Sequence, residues 1–171
     1  KIIVNKNNLG AAKSRNKAIK LSKGEFIAFI DSDAYPVSSW LINGINILKK
    51  NNKIGIVSGP DFPFPNQKGW QKLVGIAHKS FWVSGSKSFR KNIKKSSYCK
   101  QVSSCNMIMK RSTYQKVGGM NNKIYIGEDA DFCNRIKKFY KIWQSPKVKI
   151  FHKSKDFLPF LAQRYAYGTC I

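Results

Sequence analysis

The stretch GEFIAFIDSD, at residues 24–33, joins a nearly continuous apolar run to two aspartates. Residues 25–30 have the pattern of a strand that is buried on both faces, as the strands of parallel sheets are. The run stops at Asp31, Ser32 and Asp33. Ligands of open α/β sheets bind beyond the carboxyl ends of the strands, so the two carboxylates are candidate ligands for Mg²⁺ or Mn²⁺ held against a diphosphate. The alternative is a plain turn, because Asp and Ser are common turn residues.

Strand and helix patterns alternate on both sides of this stretch. Short apolar runs of the β type lie at residues 1–4, 54–57, 106–109 and 148–151. Helical spacing of apolar residues lies at residues 11–22, 40–48, 71–81, 112–117, 128–139 and 157–168. Residues 61–65 are predicted to be a loop. The alternation up to residue 57 predicts a parallel α/β sheet with right-handed crossovers.

The eight acidic residues are unevenly distributed along the chain. Five of them form two tight groups, at residues 31–33 and 128–131, where like charges repel and need an offsetting lysine or divalent cation. Glu128 and Asp129 begin a predicted helix, so they are either helix-capping groups or, where a carboxylate faces a site, a general base. Asp131 lies about 200° around the helix from Asp129 and is interpreted as a capping or solvent-facing group. The remaining acids are Glu25, Asp61 and Asp156.

His152 follows the last predicted strand directly. A lone histidine is more often structural or exposed than a ligand, but neutral imidazole also binds divalent ions. The residues by themselves leave both interpretations open.

The composition combines an apolar share of 42% with a formal charge of +24, from 32 basic and 8 acidic residues among 171. The apolar share excludes a disordered tail, and no run approaches the roughly 18 apolar residues of a membrane-spanning helix. The charge indicates a polyanion nearby, although a general bias towards lysine explains it equally well. Residues 87–100 carry the densest basic stretch and are predicted to be a mobile loop. No nucleic-acid-binding motif is visible, so no nucleic-acid partner is expected.

Four segments, in order, resemble the nucleotide-sugar half of family-two glycosyltransferases with the A-type fold. They are residues 8–16 (NLGAAKSRN), residues 24–33, the region 106–119 with its Lys110-Arg111 and Val117-Gly118-Gly119, and residues 127–132 (GEDADF) followed by 148–152. The resemblance implies a Rossmann-like, three-layer α/β/α fold with a mostly parallel mixed sheet. It also implies a catalytic domain over residues 1–152, with residues 153–171 as an amphipathic helix of the same domain or the start of a further segment.

The resemblance assigns roles position by position. Asp33, assisted by Asp31, matches the D-x-D motif that holds a divalent ion against the diphosphate, and His152 matches a histidine that completes the metal shell. Asp129 matches the carboxylate expected to act as base for the acceptor hydroxyl. The implied nucleotide-sugar contacts are Asn8, Gly10, Arg15, Asp31 and Ser32. The implied loop beside the donor sugar and acceptor contains Ser104, Cys105, Asn106 and Glu128.

The implied activity is a metal-dependent, inverting glycosyl transfer with Mn²⁺ or Mg²⁺ as cofactor. Its partners would be a nucleotide-diphospho-sugar donor and a glycan or lipid-linked acceptor in cell-surface polysaccharide or glycoconjugate synthesis. We expect a cytoplasmic location at the inner face of the membrane, with the basic stretch and the last helix contacting anionic lipid or diphosphate.

The sequence departs from the family pattern in one respect. In the family, two early strands precede the segment that matches residues 8–10, and nothing upstream of Lys1 corresponds to them. The resemblance therefore predicts missing early strands and an incomplete nucleotide pocket. The alternative function is a truncated, non-catalytic glycosyltransferase remnant.

Overall fold

The computed structural model of the protein describes residues 2–77, 80 and 93–169. Within these ranges the helices are α1 (Gly10–Leu21), α2 (Trp40–Lys50), α3 (Gly69–Ala77), α4 (Arg111–Lys116), α5 (Glu128–Ile136) and α6 (Phe157–Thr169). The strands are β1 (Phe26–Ile30), β2 (Ala34–Pro36), β3 (Ile54–Ser58), β4 (Asp61–Pro63), β5 (Ser97–Cys99), β6 (Asn106–Lys110), β7 (Lys141–Gln144) and β8 (Ile150–His152). None of these helices combines the length and apolar character needed to cross a membrane.

The larger sheet has five strands in the order β1, β6, β3, β7, β5. β3 and β7 are parallel neighbours, whereas β6 runs antiparallel to β1 and β3, and β5 runs antiparallel to β7. β1, β3 and β7 therefore point in the same direction, and their carboxyl ends share one edge of the sheet. The predicted mixed sheet of an α/β fold is confirmed.

Apolar clusters cover both faces of this sheet. Met107 and Met109 of β6 pack with the core residues of α1 and α5, and Ile108 between them packs with α2 on the other face. The division follows from the alternation of side chains along a strand. Gly44 allows α2 to approach the sheet, because a Cβ atom there would collide with Ile108. The result is the three-layer α/β/α arrangement that the resemblance implied.

The smaller sheet has three strands in the order β2, β8, β4. β8 runs antiparallel to β2 and parallel to β4. β2 follows the end of β1 and β4 follows the end of β3, so the smaller sheet lies beside the carboxyl ends of the larger one. This placement brings β8, with His152 at its end, next to residues 31–33.

Two predictions about strands are wrong because partners are lacking in the described part of the chain. Residues 2–4 form no strand, and Ile2 and Val4 are 90% and 80% exposed. β1 is not buried on both faces, since Ala28 is exposed and Ile30 is 38% exposed. β1 is an edge strand of the described sheet and pairs with β6 alone.

Other differences concern short strands. β2 and β7 lie where no element is predicted, and β4 begins the stretch predicted to be a loop. β5 pairs with β7, so the mobile-loop prediction is wrong for residues 97–99, and residues 87–92 lie outside the described residues. These strands have three or four residues and lie in no apolar run of the kind that marks β8, so the sequence carries no strand pattern for them. α5 ends at Ile136, three residues before its predicted end.

Candidate active site

Residues 31–33 form the turn that connects β1 to β2. The N–H of Ala34 donates a hydrogen bond to the carbonyl O of Asp31 at 3.1 Å, which closes the turn. The side chains of Asp31 and Asp33 are 37% and 49% exposed, and Ser32 between them is also exposed. The turn therefore satisfies the backbone and still presents two carboxylates at the sheet edge.

His152 meets these carboxylates from β8. It lies opposite Ala34 of β2 in the antiparallel register, and its Nε2 is 3.0 Å from Oδ1 of Asp33. Asp31, Asp33 and His152 each offer one ligand atom, and these atoms lie within 4.8 Å of one another. Carboxylate oxygens suit Mn²⁺ and Mg²⁺, and imidazole is a common ligand of divalent ions. The residues present thus fit the metal that the resemblance implies.

Asp61 is a residue of this site that the sequence pattern does not predict. It begins β4, its side chain is only 7% exposed, and its Oδ2 lies 3.5 Å from Nδ1 of His152. The thiol of Cys105 lies 3.9 Å from the same oxygen. The signal that identifies Asp61 is its position just beyond a buried strand, since it follows β3 as Asp31 follows β1.

The charge state of His152 reflects these neighbours. Burial of the ring disfavours the charged form and on its own lowers the pKa of His152. The carboxylates of Asp61, Asp33 and Asp31 outweigh burial, and the net result is a pKa above the ordinary value of 6.5. A proton and a divalent cation therefore compete for this imidazole.

Arg15 connects the two acidic groups of the sequence. From α1, its Nη1 lies 2.9 Å from Oε1 of Glu128 and its Nη2 lies 3.5 Å from Oδ1 of Asp31. The side chains of Arg15 and Glu128 are mostly buried, so dissolved salt screens their attraction less than that of a surface pair. Glu128 and the turn at residues 31–33 thus lie on the same side of the molecule.

Asp131, in the first turn of α5, has a partner that the sequence did not predict. Asp131 accepts hydrogen bonds from Nε and Nη2 of Arg135 at 2.9 and 2.8 Å, and Arg135 in turn donates to the carbonyl O atoms of Val117 and Gly119. Asp131 is therefore held in a structural ion pair. Asp129 is half-buried beside Glu128 at the start of the helix, and its role as a base stays a prediction.

Asn8 lies just before α1 and Gly10 begins it, and Arg15 follows in the same helix. The side-chain carbonyl of Asn8 accepts a hydrogen bond from the N–H of Gly10 at 2.9 Å. Gly10 has a φ of +74°, in the left-handed region that favours glycine. These contacts shape the entry of the helix, and the predicted contact with a nucleotide sugar stays a prediction.

The segment of Ser104, Cys105 and Asn106 leads into β6, and its predicted role beside the donor sugar and acceptor stays a prediction. All three residues are buried, and Asn106 is 2% exposed. The carbonyl of the Asn106 amide accepts a hydrogen bond from Nε1 of Trp40, and its NH₂ donates to the carbonyl O atoms of Gly59 and Val148. Asn106 therefore ties α2, β3 and the approach to β8 together from inside, and its side chain faces no open space.

Comparisons with known proteins agree with this fold. The chain is 22% identical over 168 residues to the Haloferax volcanii protein named glycosyltransferase AglE. The matched segment is 98% of this chain and 52% of AglE. This chain is also 47% identical over 51 residues to the Escherichia coli protein named UDP-Glc:alpha-D-GlcNAc-diphosphoundecaprenol beta-1,3-glucosyltransferase WfaP. The matched segment is 29% of this chain and 20% of that protein. The chain thus spans about half the length of AglE.

Solved structures show the same architecture. The mannosyltransferase PcManGT from Pyrobaculum calidifontis, in complex with GDP-Man and Mn²⁺, matches with a TM-score of 0.59 at 19% identity, over 84% of this chain and 36% of that one. GalNAc-T7 with UDP, GalNAc and Mn²⁺ matches with a TM-score of 0.64 at 13% identity, over 86% of this chain and 31% of that one. The A-type glycosyltransferase fold is confirmed.

The sequence models of two protein families match this chain. One is the N-terminal domain of galactosyltransferase, over residues 85–153. The other, glycosyl transferase family 2, matches residues 1–118, which is more than half of the chain. The chain therefore belongs to glycosyl transferase family 2.

Proposed function

We propose that the protein transfers a sugar from a nucleotide-diphosphate donor to a glycan or lipid-linked acceptor, with a divalent cation and with inversion at the anomeric carbon. One observation carries this proposal: His152 Nε2 lies 3.0 Å from Asp33 in a cluster with Asp31, at the carboxyl-end edge of the sheet. The two similar structures, whose complexes contain Mn²⁺ with GDP-Man or UDP, support the same assignment.

Asp31, Asp33 and His152 would hold Mn²⁺ or Mg²⁺. When bound, the cation supplies positive charge that stabilises the negative charge growing on the leaving diphosphate. Arg15 holds Asp31 and Glu128 in place from the neighbouring helix. Asn8, Gly10 and Ser32, at the starts of α1 and β2, are the proposed contacts to the nucleotide sugar.

Asp129 is the proposed base. Its carboxylate takes the proton of the acceptor hydroxyl while that oxygen attacks the anomeric carbon. The bond between the anomeric carbon and the diphosphate oxygen breaks, and its electron pair leaves with the diphosphate. A single displacement of this kind inverts the anomeric centre.

A lipid-linked acceptor is favoured by the relatives. WfaP and a second E. coli protein, WfgD, are named as glucosyltransferases acting on a diphosphoundecaprenol-linked sugar. Each is more than 40% identical to this chain, over 51 and 52 residues respectively. We propose an acceptor of the same chemical class, a sugar carried on a lipid diphosphate.

The surface formed by α3 and α6 supports a location at the inner face of a membrane. Both helices expose an apolar stripe, made of Trp70, Leu73 and Ile76 on α3 and of Leu158, Leu161 and Tyr165 on α6. The rings of Trp70 and Phe157 stack at 4.6 Å and join the two helices.

The charges around this surface match an anionic bilayer. The exposed lysines on and beside the two helices are Lys68, Lys72, Lys153 and Lys155. Apolar side chains at the level of the lipid head groups, with lysines around them, are typical of helices that lie in a membrane interface. We expect the complete protein to bind vesicles containing phosphatidylglycerol, and Leu161→Asp to weaken that binding; equal binding by both proteins would count against this surface.

The enzymatic proposal is tested with the complete protein, UDP- and GDP-sugars, Mn²⁺ and a lipid-diphosphate acceptor. We expect release of the nucleoside diphosphate to require the cation and to be lost in Asp33→Asn, with Asp156→Asn as the matched surface control. NMR of the product should show an anomeric configuration opposite to that of the donor. Metal-independent turnover or retained configuration would refute this mechanism, and Mn²⁺ binding without turnover of any donor would favour the non-catalytic alternative.

A further inference from the structure

The carboxylate of Asp61 is buried beside the candidate metal cluster. Its side chain is 7% exposed, against 37% for Asp31 and 49% for Asp33. A buried carboxylate is unfavourable unless it is paired or hydrogen-bonded. Among the residues that the structure describes, no lysine or arginine forms an ion pair with Asp61, and the ion-pair partner it does have is Nδ1 of His152.

The smaller sheet fixes the carboxylate relative to the imidazole. β4 and β8 are parallel, with Asp61 opposite Ile150, two residues before His152. Side chains two residues apart on a strand share one face, so Asp61 and His152 project on the same side of neighbouring strands. The N–H of Ile150 donates to the carbonyl O of Pro60 at 3.0 Å, next to Asp61. The pair thus rests on regular backbone geometry.

The two ring nitrogens of His152 have different partners. Nε2 faces Asp33 at 3.0 Å and Nδ1 faces Asp61 at 3.5 Å. In a neutral imidazole one nitrogen carries the proton and the other has a free electron pair, and a carboxylate acceptor determines which. Metal-binding histidines commonly donate their second N–H to such a carboxylate, which fixes both tautomer and ring orientation.

We propose that Asp61 is a positioning residue, which accepts the Nδ1–H of His152 and so keeps the electron pair of Nε2 directed towards the cation held by Asp31 and Asp33. The proposal rests on the metal-dependent function proposed above. Cys105 supports Asp61 from the core side, since its thiol lies 3.9 Å from the same carboxylate oxygen. Asp61 itself contacts neither donor nor acceptor in this assignment.

The test measures Mn²⁺ affinity by electron paramagnetic resonance, with the complete protein and no sugar donor. The variants are Asp61→Asn, which keeps the size of the side chain, Asp61→Ala, Asp33→Ala and the surface control Asp156→Asn. Loss of such a supporting carboxylate typically weakens metal binding about 10–100-fold. We expect a weakening of that size for Asp61→Asn and Asp61→Ala, a larger one for Asp33→Ala and none for Asp156→Asn.

Unfolding midpoints without Mn²⁺ separate positioning from folding. Asp61→Asn should unfold near the wild-type midpoint and still bind Mn²⁺ more weakly. Unchanged Mn²⁺ affinity in both Asp61 variants would overturn the inference while leaving the metal site intact. A loss as large as that of Asp33→Ala would make Asp61 a ligand itself and would equally overturn it. Unchanged affinity in Asp33→Ala would instead refute the proposed metal site.

Discussion

Arg15 and Glu128 form an ion pair across 113 positions of the sequence, with Nη1 of the guanidinium 2.9 Å from Oε1 of the carboxylate. The same guanidinium lies 3.5 Å from Asp31. Because Arg15 belongs to α1, Asp31 follows β1 and Glu128 begins α5, one side chain connects three elements at the edge of the site. One residue of each acidic group, Asp31 and Glu128, is thus paired with the same arginine, which offsets part of their charge.

A double-mutant cycle on Arg15→Met and Glu128→Gln measures this connection. Arg15→Met leaves the mostly buried Glu128 without this partner, and Glu128→Gln leaves Arg15 with only its longer contact to Asp31, so we expect each single change to cost about 1–3 kcal/mol. We expect the double variant to lose less free energy of unfolding than the two single losses added together. The difference, measured by urea unfolding, should be about 0.5–3 kcal/mol. Additive losses would show that the pair is energetically unimportant.

Asn106→Ala should destabilise the protein strongly. The change leaves Nε1 of Trp40 and the carbonyl O atoms of Gly59 and Val148 without their partner, and each orphaned buried group costs about 1–3 kcal/mol. Chemical denaturation should therefore show a loss of roughly 3 kcal/mol or more. Asn46→Ala, at an exposed position of α2, is the matched control and should stay within about 0.5 kcal/mol of the wild type. Similar small losses in both variants would contradict the buried role of Asn106.

Gly59→Ala should disturb the strand that carries Asp61. A Cβ atom at Gly59 would collide with the backbone carbonyl O atoms of Val148 and Ser145, which cannot move as a flexible side chain can. We expect a loss of about 1–3 kcal/mol in the free energy of unfolding, together with weaker Mn²⁺ binding. Gly168→Ala in α6 meets open space, so it should leave Mn²⁺ affinity unchanged and should not lower the free energy of unfolding, since alanine favours a helix more than glycine does. Full Mn²⁺ affinity in Gly59→Ala would show that the position of β4 does not matter for the site.

The pKa of His152 predicts a pH dependence with a definite sign. Burial lowers the pKa, but the neighbouring carboxylates raise it above 6.5, so the folded state binds the proton more tightly than the unfolded state. The resulting stabilisation is fully present below about pH 6.5 and is lost as the pH rises through the folded-state pKa. Without divalent cations, the stability difference between wild type and His152→Gln should shrink as the pH rises through this window. A difference that grows with pH would contradict the assignment.

Several parts of the fold could be predicted from the sequence because long elements carry strong periodicity. The helices α1, α2 and α5 and the strand β3 lie where their apolar patterns indicate. The short strands β2, β4 and β5 could not be recognised, since each has only three residues and is stabilised by its partner strands rather than by its own pattern. The antiparallel insertion of β6 between β1 and β3 likewise depends on pairing between segments far apart in the chain, which no local signal encodes.

The candidate site divides in the same way. Asp31 and Asp33 could be identified because they come just after the apolar run of β1, and His152 because it ends the apolar run of β8; the structure brings the three together. Asp61 follows a strand too, but the prolines at positions 60, 63 and 65 predict a loop there and conceal it. Two other features could not be predicted, because they depend on side-chain geometry between distant segments. They are the ion pairs of Arg15 and the buried hydrogen bonds of Asn106.

Both acidic groups are proposed to serve one reaction centre, and a matched pair of variants in the first turn of α5 distinguishes this role from a purely structural one. The measurement is the turnover number of the complete protein with Mn²⁺ and a nucleotide sugar, for Asp129→Asn and Asp131→Asn, with Mn²⁺ affinity as the companion readout. Loss of a general base should lower turnover about 10²–10⁴-fold, so Asp129→Asn should fall by that factor with Mn²⁺ affinity preserved. Asp131→Asn, which loses only its ion pair with Arg135, should keep wild-type turnover. Equal turnover in the two variants would exclude Asp129 as the base and leave the second acidic group without a part in the reaction.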